Sequence, residues 1–375
     1  MNDGAHIARV SSRRVNEALR RRSNEHRGLG MESDWWPRAS LSDASANLAR
    51  LRKSAGAFLE ELSTSASREK EHWILKWMTV GDQYRALAEL AVKNNRPDTA
   101  GEFWLCALTA FEVARQLADP ENSSSGVLAD RIEGSLGSLR SCAPDRVERV
   151  EIEFFEREHF AGYFLRAARR EQPAPAVIFI SDEESSAGSI VGRLLPAVND
   201  RNLSVLVVSG DDASKHRLFK PEAFLASWLD YLEGRADVDA GRIAVSGERM
   251  AAGYAGRIAA SDRRIKAAVC DGGLWASLQH RANVGWMTGI WNTAGDRTRT
   301  SNLELVRRMR CPVLIVAGGR ALFDRQSALE LQADCKLAGL DCSVAIPQAP
   351  GEIENFITKD DVVLDWLEEK LRSRG

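Results

Sequence analysis

No uninterrupted apolar run of about 18 residues occurs in this 375-residue chain, so a membrane-spanning helix is not expected. The N-terminus also lacks the apolar core of a secretory signal, which makes a cytoplasmic protein the expectation. Cys106, Cys142, Cys270, Cys311, Cys335 and Cys342 form no C-x-x-C pair and no zinc-like spacing with histidine. Reduced thiols without a metal follow, and nothing in the pattern implies a cofactor. A net charge of -2 gives no reason to expect a nucleic-acid partner. What remains is a chain with 44% apolar and 28% charged residues, the composition of a globular protein. Its length favours a large domain joined to a smaller one.

Residues 1–40 are basic, with Arg9, Arg13, Arg14, Arg20, Arg21, Arg22 and Arg27 interrupted by Asp3, Glu17 and Glu25, and read as a solvated or loosely helical tail. Residues 41–145 carry a helical period. Leu48, Leu51, Phe58, Leu59 and Leu62 recur at three-, four- and seven-residue steps, and the period returns between Trp73 and Leu90. Asn94, Asn95 and Arg96 break it, and Pro97 with Asp98 suits the opening of a helix that reads to Ala118. A turn is expected from Pro120 to Ser125. The helically spaced Trp73, Trp77, Phe103, Trp104 and Phe111 read as core packing in preference to a ligand cage.

After Pro144 the period shortens. Val150 to Phe155 and Phe160 to Leu165 predict a β-hairpin. Continuous apolar runs follow at Ala176–Ile180, Ser204–Val208, Arg242–Val245, Ala267–Val269, Val313–Val316 and Cys342–Ile346, alternating with helical stretches. Such runs are buried parallel strands, and the alternation gives a doubly wound α/β sheet over 146–375. Ligands of such sheets bind beyond the carboxyl ends of the strands.

The segment from Val238 through Val245-Ser246-Gly247-Glu248-Arg249-Met250-Ala251-Ala252-Gly253 is a strand passing through a glycine into a helix of small residues. That is the shape of a nucleophile elbow, where G-x-S-x-G is usual because the turn is tight and the helix packs close behind it. Here Gly247 and Ala251 hold the glycine positions and Arg249 the nucleophile position. An arginine stays protonated and offers only donors, so it cannot replace a serine in attack. Two readings stay open for it. Arg249 clamps an anion beside the helix N-terminus, or it plugs the old pocket and pairs with Glu248, Glu183 or Glu354.

From about Trp73 onward the chain resembles the α/β-hydrolase family that includes the fermentation-respiration switch protein, 2,6-dihydroxypseudooxynicotine hydrolase and fungal pigment-pathway hydrolases. The resemblance is carried by the helical N-terminal region, Tyr231-Leu232-Glu233 ahead of Asp237-Val238-Asp239, the run Arg242 to Val245, the elbow with Arg257 after it, and Ile265 to Val269 closing into Gly272-Gly273. It implies an α/β-hydrolase fold with a small helical cap at about 274–300, serine hydrolase ancestry with several members acting on carbon–carbon bonds, and in some members a homodimer. Carried over residue by residue, it also implies a degenerate catalytic triad. The acid position after Val313–Val316 holds Ala321, with Asp324 nearby and Asp271 as a second candidate whose plainer role is capping or bonding a loop. The histidine position falls at Ile353 or Glu354, and no histidine follows His280.

The loop Ser181-Asp182-Glu183-Glu184-Ser185-Ser186 stands where such folds place part of an oxyanion hole, and its acids oppose that use. Glu183 or Glu184 is a candidate base for nonhydrolytic chemistry. His216, His280 and the cap residue Trp286, with Trp275, Met287, Ile290 and Trp291, are candidates to line a pocket mouth, or are surface and packing residues. Two functions are expected from these residues. One is a noncatalytic descendant binding a small anionic or aromatic carbonyl metabolite; the other is an enzyme of specialised metabolism with serine-independent chemistry (lyase, cyclase, decarboxylase or residual hydrolysis) using Arg249, Glu248, Asp324, Glu354 and Glu183.

Overall fold

The computed structural model describes residues 44–62, 70–118, 123–154, 158–167, 173–182, 187–210, 212, 221–272, 304–317, 325–345 and 356–372. The basic tail and the cap region at 274–300 lie outside them.

The chain opens with α1 (Ala44–Leu62), α2 (Lys70–Lys93), α3 (Pro97–Leu117) and α4 (Ser123–Cys142). Asn95 ends α2 with φ 54°, a left-handed residue after which the Arg96 N–H bonds back to the Ala91 oxygen at 2.9 Å. The Asn95 N–H reaches the Val92 oxygen, completing a Schellman closure. Pro97 then starts α3, where its missing N–H costs nothing, with Asp98 beside it against the helix dipole. The turn expected at Pro120–Ser125 is shorter than read: Ser123 to Ser125 belong to α4, because serines are well tolerated in a first helical turn where N–H groups lack partners.

Helix α3 is apolar on almost every side, since α1, α2, α4 and a later helix, α5 (Ala187–Val198), all pack on it. Gly81 lets α2 come close: a Cβ there would sit 2.3 Å from the Phe111 ring. Trp77, Phe103, Trp104 and Phe111 are buried in this core, with Phe58 against Trp73 at 5.1 Å.

The sheet has eight strands: β1 (Val147–Phe154), β2 (Glu158–Leu165), β3 (Ala174–Ile180), β4 (Ser204–Val208), β5 (Val238–Glu248), β6 (Ile265–Asp271), β7 (Val313–Val316) and β8 (Cys342–Ala345). Their order is β1-β2-β4-β3-β5-β6-β7-β8. β1 and β2 form the antiparallel hairpin, β2 joins β4 antiparallel, and the remaining pairs are parallel. Helices α6 (Pro221–Glu233), α7 (Ala251–Ser261), α8 (Arg325–Leu337) and α9 (Phe356–Lys370) complete the described fold.

Side chains alternate along each strand, and the two sheet faces feed two separate cores. Val177, Phe179, Val205, Val207, Ala244, Ala267, Val269, Leu314 and Val316 join a core with α1–α5 and α9. Ala176, Ile178, Ile180, Leu206, Val208, Ile243, Val245, Ala268, Cys270, Val313 and Ile315 join one with α6, α7 and α8. The helical segment therefore shares a continuous apolar core with one face of the sheet.

Candidate functional site at the carboxyl rim of the sheet

The parallel register aligns Ile180 with Val208 and Gly247, Glu248 with Asp271, and Asp271 with Val316. The carboxyl ends of these strands thus form one rim. The chain leaves β3 for β4 on one side and then returns to β5 on the other, so a topological switch point opens beside β3, the place where such sheets bind ligands.

Arg249 stands on this rim between β5 and α7. Its φ is 51°, a left-handed conformation that costs a side-chain-bearing residue about 1 kcal/mol or more. The surroundings enforce it. The Arg249 N–H donates to the Asp271 oxygen at 2.6 Å, and the Arg249 oxygen accepts from the Ala252 N–H at 3.2 Å. A Cβ on Gly247 would lie 2.2 Å from the Ala251 oxygen, so glycine is what allows α7 to fold back onto β5. At Gly272, whose φ is 108°, a Cβ would lie 3.2 Å from the Arg249 Cα. Behind the turn, Ala251, Ala252, Gly253, Ala255 and Gly256 are all buried, as the small-residue pattern predicts.

Among the described residues Arg249 pairs with Asp182, just past β3: Arg249 Nε lies 3.0 Å from Asp182 Oδ2 across the switch point, an ion pair without hydrogen-bond angles. Asp182 is buried, whereas the Arg249 side chain is 62% exposed. This corrects the expectation that Glu248 pairs with Arg249. Glu248 continues the alternation of β5, sharing a face with Ala244 and Ser246, and so points under the sheet toward α5 and α9.

There it meets a buried ionic group. Arg193 on α5 grips Glu248 with two hydrogen bonds of 3.1 and 2.6 Å. Lys359 Nζ lies 3.2 Å from Glu248 Oε1 and 2.7 Å from Asp271 Oδ2. Arg193 Nε is 3.1 Å from Asp360 Oδ2, a contact without hydrogen-bond angles. The Arg193 guanidinium also lies over the Phe179 ring at 5.5 Å. Burial would lift the Glu248 carboxyl, but Arg193 and Lys359 hold it well below the usual carboxylate range. Asp271 goes the other way: burial raises it, and Lys359 only partly offsets that. Burial likewise pushes Asp360 up to about 7. Asp271 is therefore a partner of Lys359 through its carboxylate and of the elbow through its backbone.

Of the residues singled out in the sequence, the rim brings together Arg249, Glu248 and Asp271. Asp324, Glu354, Glu183, Glu184, His216, His280 and Trp286 lie outside the described residues. Sequence reasoning missed Asp182 as a partner, and missed Arg193, Lys359 and Asp360 altogether. A usable signal existed for Arg193, the single charge in Ala-Gly-Ser-Ile-Val-Gly-Arg-Leu-Leu-Pro-Ala-Val. Among the described residues no group of three or more His, Cys, Asp or Glu side chains is arranged to hold a metal ion.

No protein-family model matches the chain. No curated protein matches it either. Solved structures do. 2,6-Dihydroxy-pseudo-oxynicotine hydrolase superposes with a TM-score of 0.54 at 16% identity, covering 84% of this chain and 95% of that one. An acylaminoacyl peptidase of Pyrococcus horikoshii gives 0.47 at 13% identity, over 61% of this chain and 42% of its own. A puromycin-hydrolyzing peptidase of Mycobacterium tuberculosis gives 0.47 at 14% identity, over 61% and 41%. The chain spans less than half of either peptidase but nearly all of the first hydrolase. With its eight-stranded, mostly parallel sheet flanked by helices, the chain has the α/β-hydrolase fold.

Proposed function

We propose that the chain is a noncatalytic descendant of a hydrolase that binds a small carboxylate-bearing metabolite at the carboxyl rim of its sheet. The observation that carries this reading is Arg249 at the tip of the β5–α7 turn. Its backbone is held in a left-handed conformation, its Nε is anchored on buried Asp182, and its side chain is 62% exposed. An anchored guanidinium is oriented before the ligand arrives, which lowers the ordering cost of a charge-assisted contact. The adjoining N-terminus of α7 adds a favourable dipole for an anion. Calorimetric titration with a panel of aromatic and aliphatic carboxylates tests it, with wild type and Arg249→Ala side by side. At least one carboxylate should bind wild type about tenfold or more tighter than the variant, as expected for a lost charge-assisted contact. Neither protein should label with a serine-reactive fluorophosphonate or turn over esters and β-diketones. Equal affinity in both, or robust labelling, would sink the proposal.

A second reading keeps an enzyme with serine-independent chemistry, and Asp271 favours it: burial raises this carboxyl above its ordinary value, the direction a general acid requires. Under that reading Asp271→Asn abolishes a turnover that Arg249→Ala only weakens. We also assign the chain to the cytoplasm, as a homodimer without nucleic-acid or membrane partners. No helix among the described residues is long and apolar enough to cross a membrane. Light scattering on the purified chain tests the dimer.

A further inference from the structure

Five charged side chains meet beneath the elbow: Arg193 from α5, Glu248 from β5, Asp271 from β6, and Lys359 and Asp360 from the start of α9. Arg193, Glu248, Asp271 and Asp360 are each at most 8% exposed, and Lys359 is 15% exposed. Fully ionised, two cations face three carboxylates, and one negative charge is left over. Among the described residues, the other cations packed around them have acids of their own, although the charge of Arg52 also reaches Asp360. From α3, Arg115 pairs with Glu112 at 2.6 Å. From α1, Arg52 pairs with Asp361 at 3.1 Å, an acid that also takes Arg201. A surplus charge buried at such a depth is strongly disfavoured, and a proton is the smallest way to remove it.

We propose that these five residues form a proton-dependent lock: the folded protein holds one proton on Asp360 or Asp271, which keeps α5, β5, β6 and α9 closed together, and losing it loosens α9 and the Arg249 elbow. Asp360 is the better holder. Its nearest cation is Arg193 at 3.1 Å, whereas Asp271 sits closer to its own, 2.7 Å from Lys359, although neither contact has hydrogen-bond angles. The direction in which burial drives both carboxyls agrees with this. The lock reaches Arg249 directly, because Glu248 precedes it and the Asp271 oxygen accepts its N–H. As regulation of an anion site, the inference rests on the reading given above; as a property of the fold, it does not.

Folding then takes up a proton. The stability this provides is complete below the unfolded carboxylate value of about 4 and is lost as pH rises toward the folded value. With Asp360 at about 7 the span is some three pH units, worth up to ~10³-fold in the folding constant. Denaturant unfolding of the full chain between about pH 5 and about pH 8 reads it without any ligand, so its failure is separable from failure of the anion-site reading. Wild type should lose at least about tenfold in folding constant across that range, and Asp360→Asn should flatten the loss. Slopes equal to wild type in both Asp360→Asn and Asp271→Asn would overturn the lock. Should the variants not fold, amide exchange on wild type decides. Corrected for intrinsic rates, α9 and the elbow should lose about tenfold more protection than α3 between the same pH values; an equal loss in α3 and α9 overturns it.

Discussion

The two faces of the sheet are built from the same alternating strands, yet they treat buried polarity differently. Toward α1–α5 and α9, the ends of β5 and β6 place Glu248 and Asp271 under the rim, joined by Arg193, Lys359 and Asp360. Toward α6–α8 the same strands offer Val245 and Cys270, and thiols from Cys311, Cys335 and Cys342 complete an apolar layer. Small residues leave room on the first face: Ala244, Ser246 and Ala267 alternate toward it along β5 and β6, and all are buried. One face is thus held by interactions that fail when a partner is missing, the other by packing that degrades gradually. The elbow that carries Arg249 sits on the boundary between them.

The largest break in that comparison should come from Arg193→Ala, which leaves Glu248 and Asp360 buried without their main cation. A loss of about 3–5 kcal/mol is expected in equilibrium unfolding. On the other face, Ile178→Val should cost only about 0.5–1.5 kcal/mol. If the two variants unfold at the same denaturant concentration, the ionic group carries no special weight. Replacing Arg193, Glu248 and Asp360 together by apolar residues of similar volume should cost much less than Arg193→Ala, since no orphan charge remains.

Gly81→Ala probes the same side through packing alone. Alanine gains about 1 kcal/mol of helix propensity, but its Cβ would collide with the fully buried Phe111 ring. A net loss of about 1–2 kcal/mol in unfolding free energy follows, and a stabilised variant would mean that the ring can move aside.

Cys270→Ser does the corresponding test on the apolar face. Burial raises this thiol far above its ordinary value, so it behaves as a small hydrophobe. A hydroxyl placed there without a partner should cost about 1 kcal/mol or somewhat more, and Cys270→Ala should cost less than Cys270→Ser. The reverse order would show that the apolar layer accommodates polarity after all.

These contrasts also explain how far the sequence could be read. The parallel strands announced themselves because a strand buried on both faces is a continuous apolar run, and Ser204–Val208 and Val313–Val316 have the predicted bounds. β5 is longer than its apolar stretch, since Asp239 and Arg242 pair with each other on its polar start. The elbow was legible from glycine and small residues, whose spacing reflects backbone approach and nothing else. The ionic group was not. Arg193, Glu248, Asp271 and Lys359 lie on four separate elements, and although Arg193 stands out as the one charge of an apolar helix, nothing in the sequence pairs the four until the sheet brings them together. Glu248 was misread for a related reason: adjacency to Arg249 suggested a pair, but neighbours in a strand point to opposite faces.

The smallest expected effect is at Arg249, and it separates backbone strain from side-chain chemistry. Glycine relieves the left-handed φ of 51° but gives up the contact with Asp182, a pair whose arginine is mostly exposed and so contributes about 0–1 kcal/mol. The two changes nearly cancel, and Arg249→Gly should unfold within about 1 kcal/mol of wild type. Valine gives up the contact as well and adds a branched Cβ to the same strained backbone, so Arg249→Val should fall below Arg249→Gly by about 1–2 kcal/mol. Asparagine, which tolerates left-handed backbone, belongs between the two. A valine variant as stable as the glycine variant would mean that the turn relaxes when Arg249 is removed. The elbow would then be set by the arginine's grip on Asp182, and not by the strand and helix on either side of it.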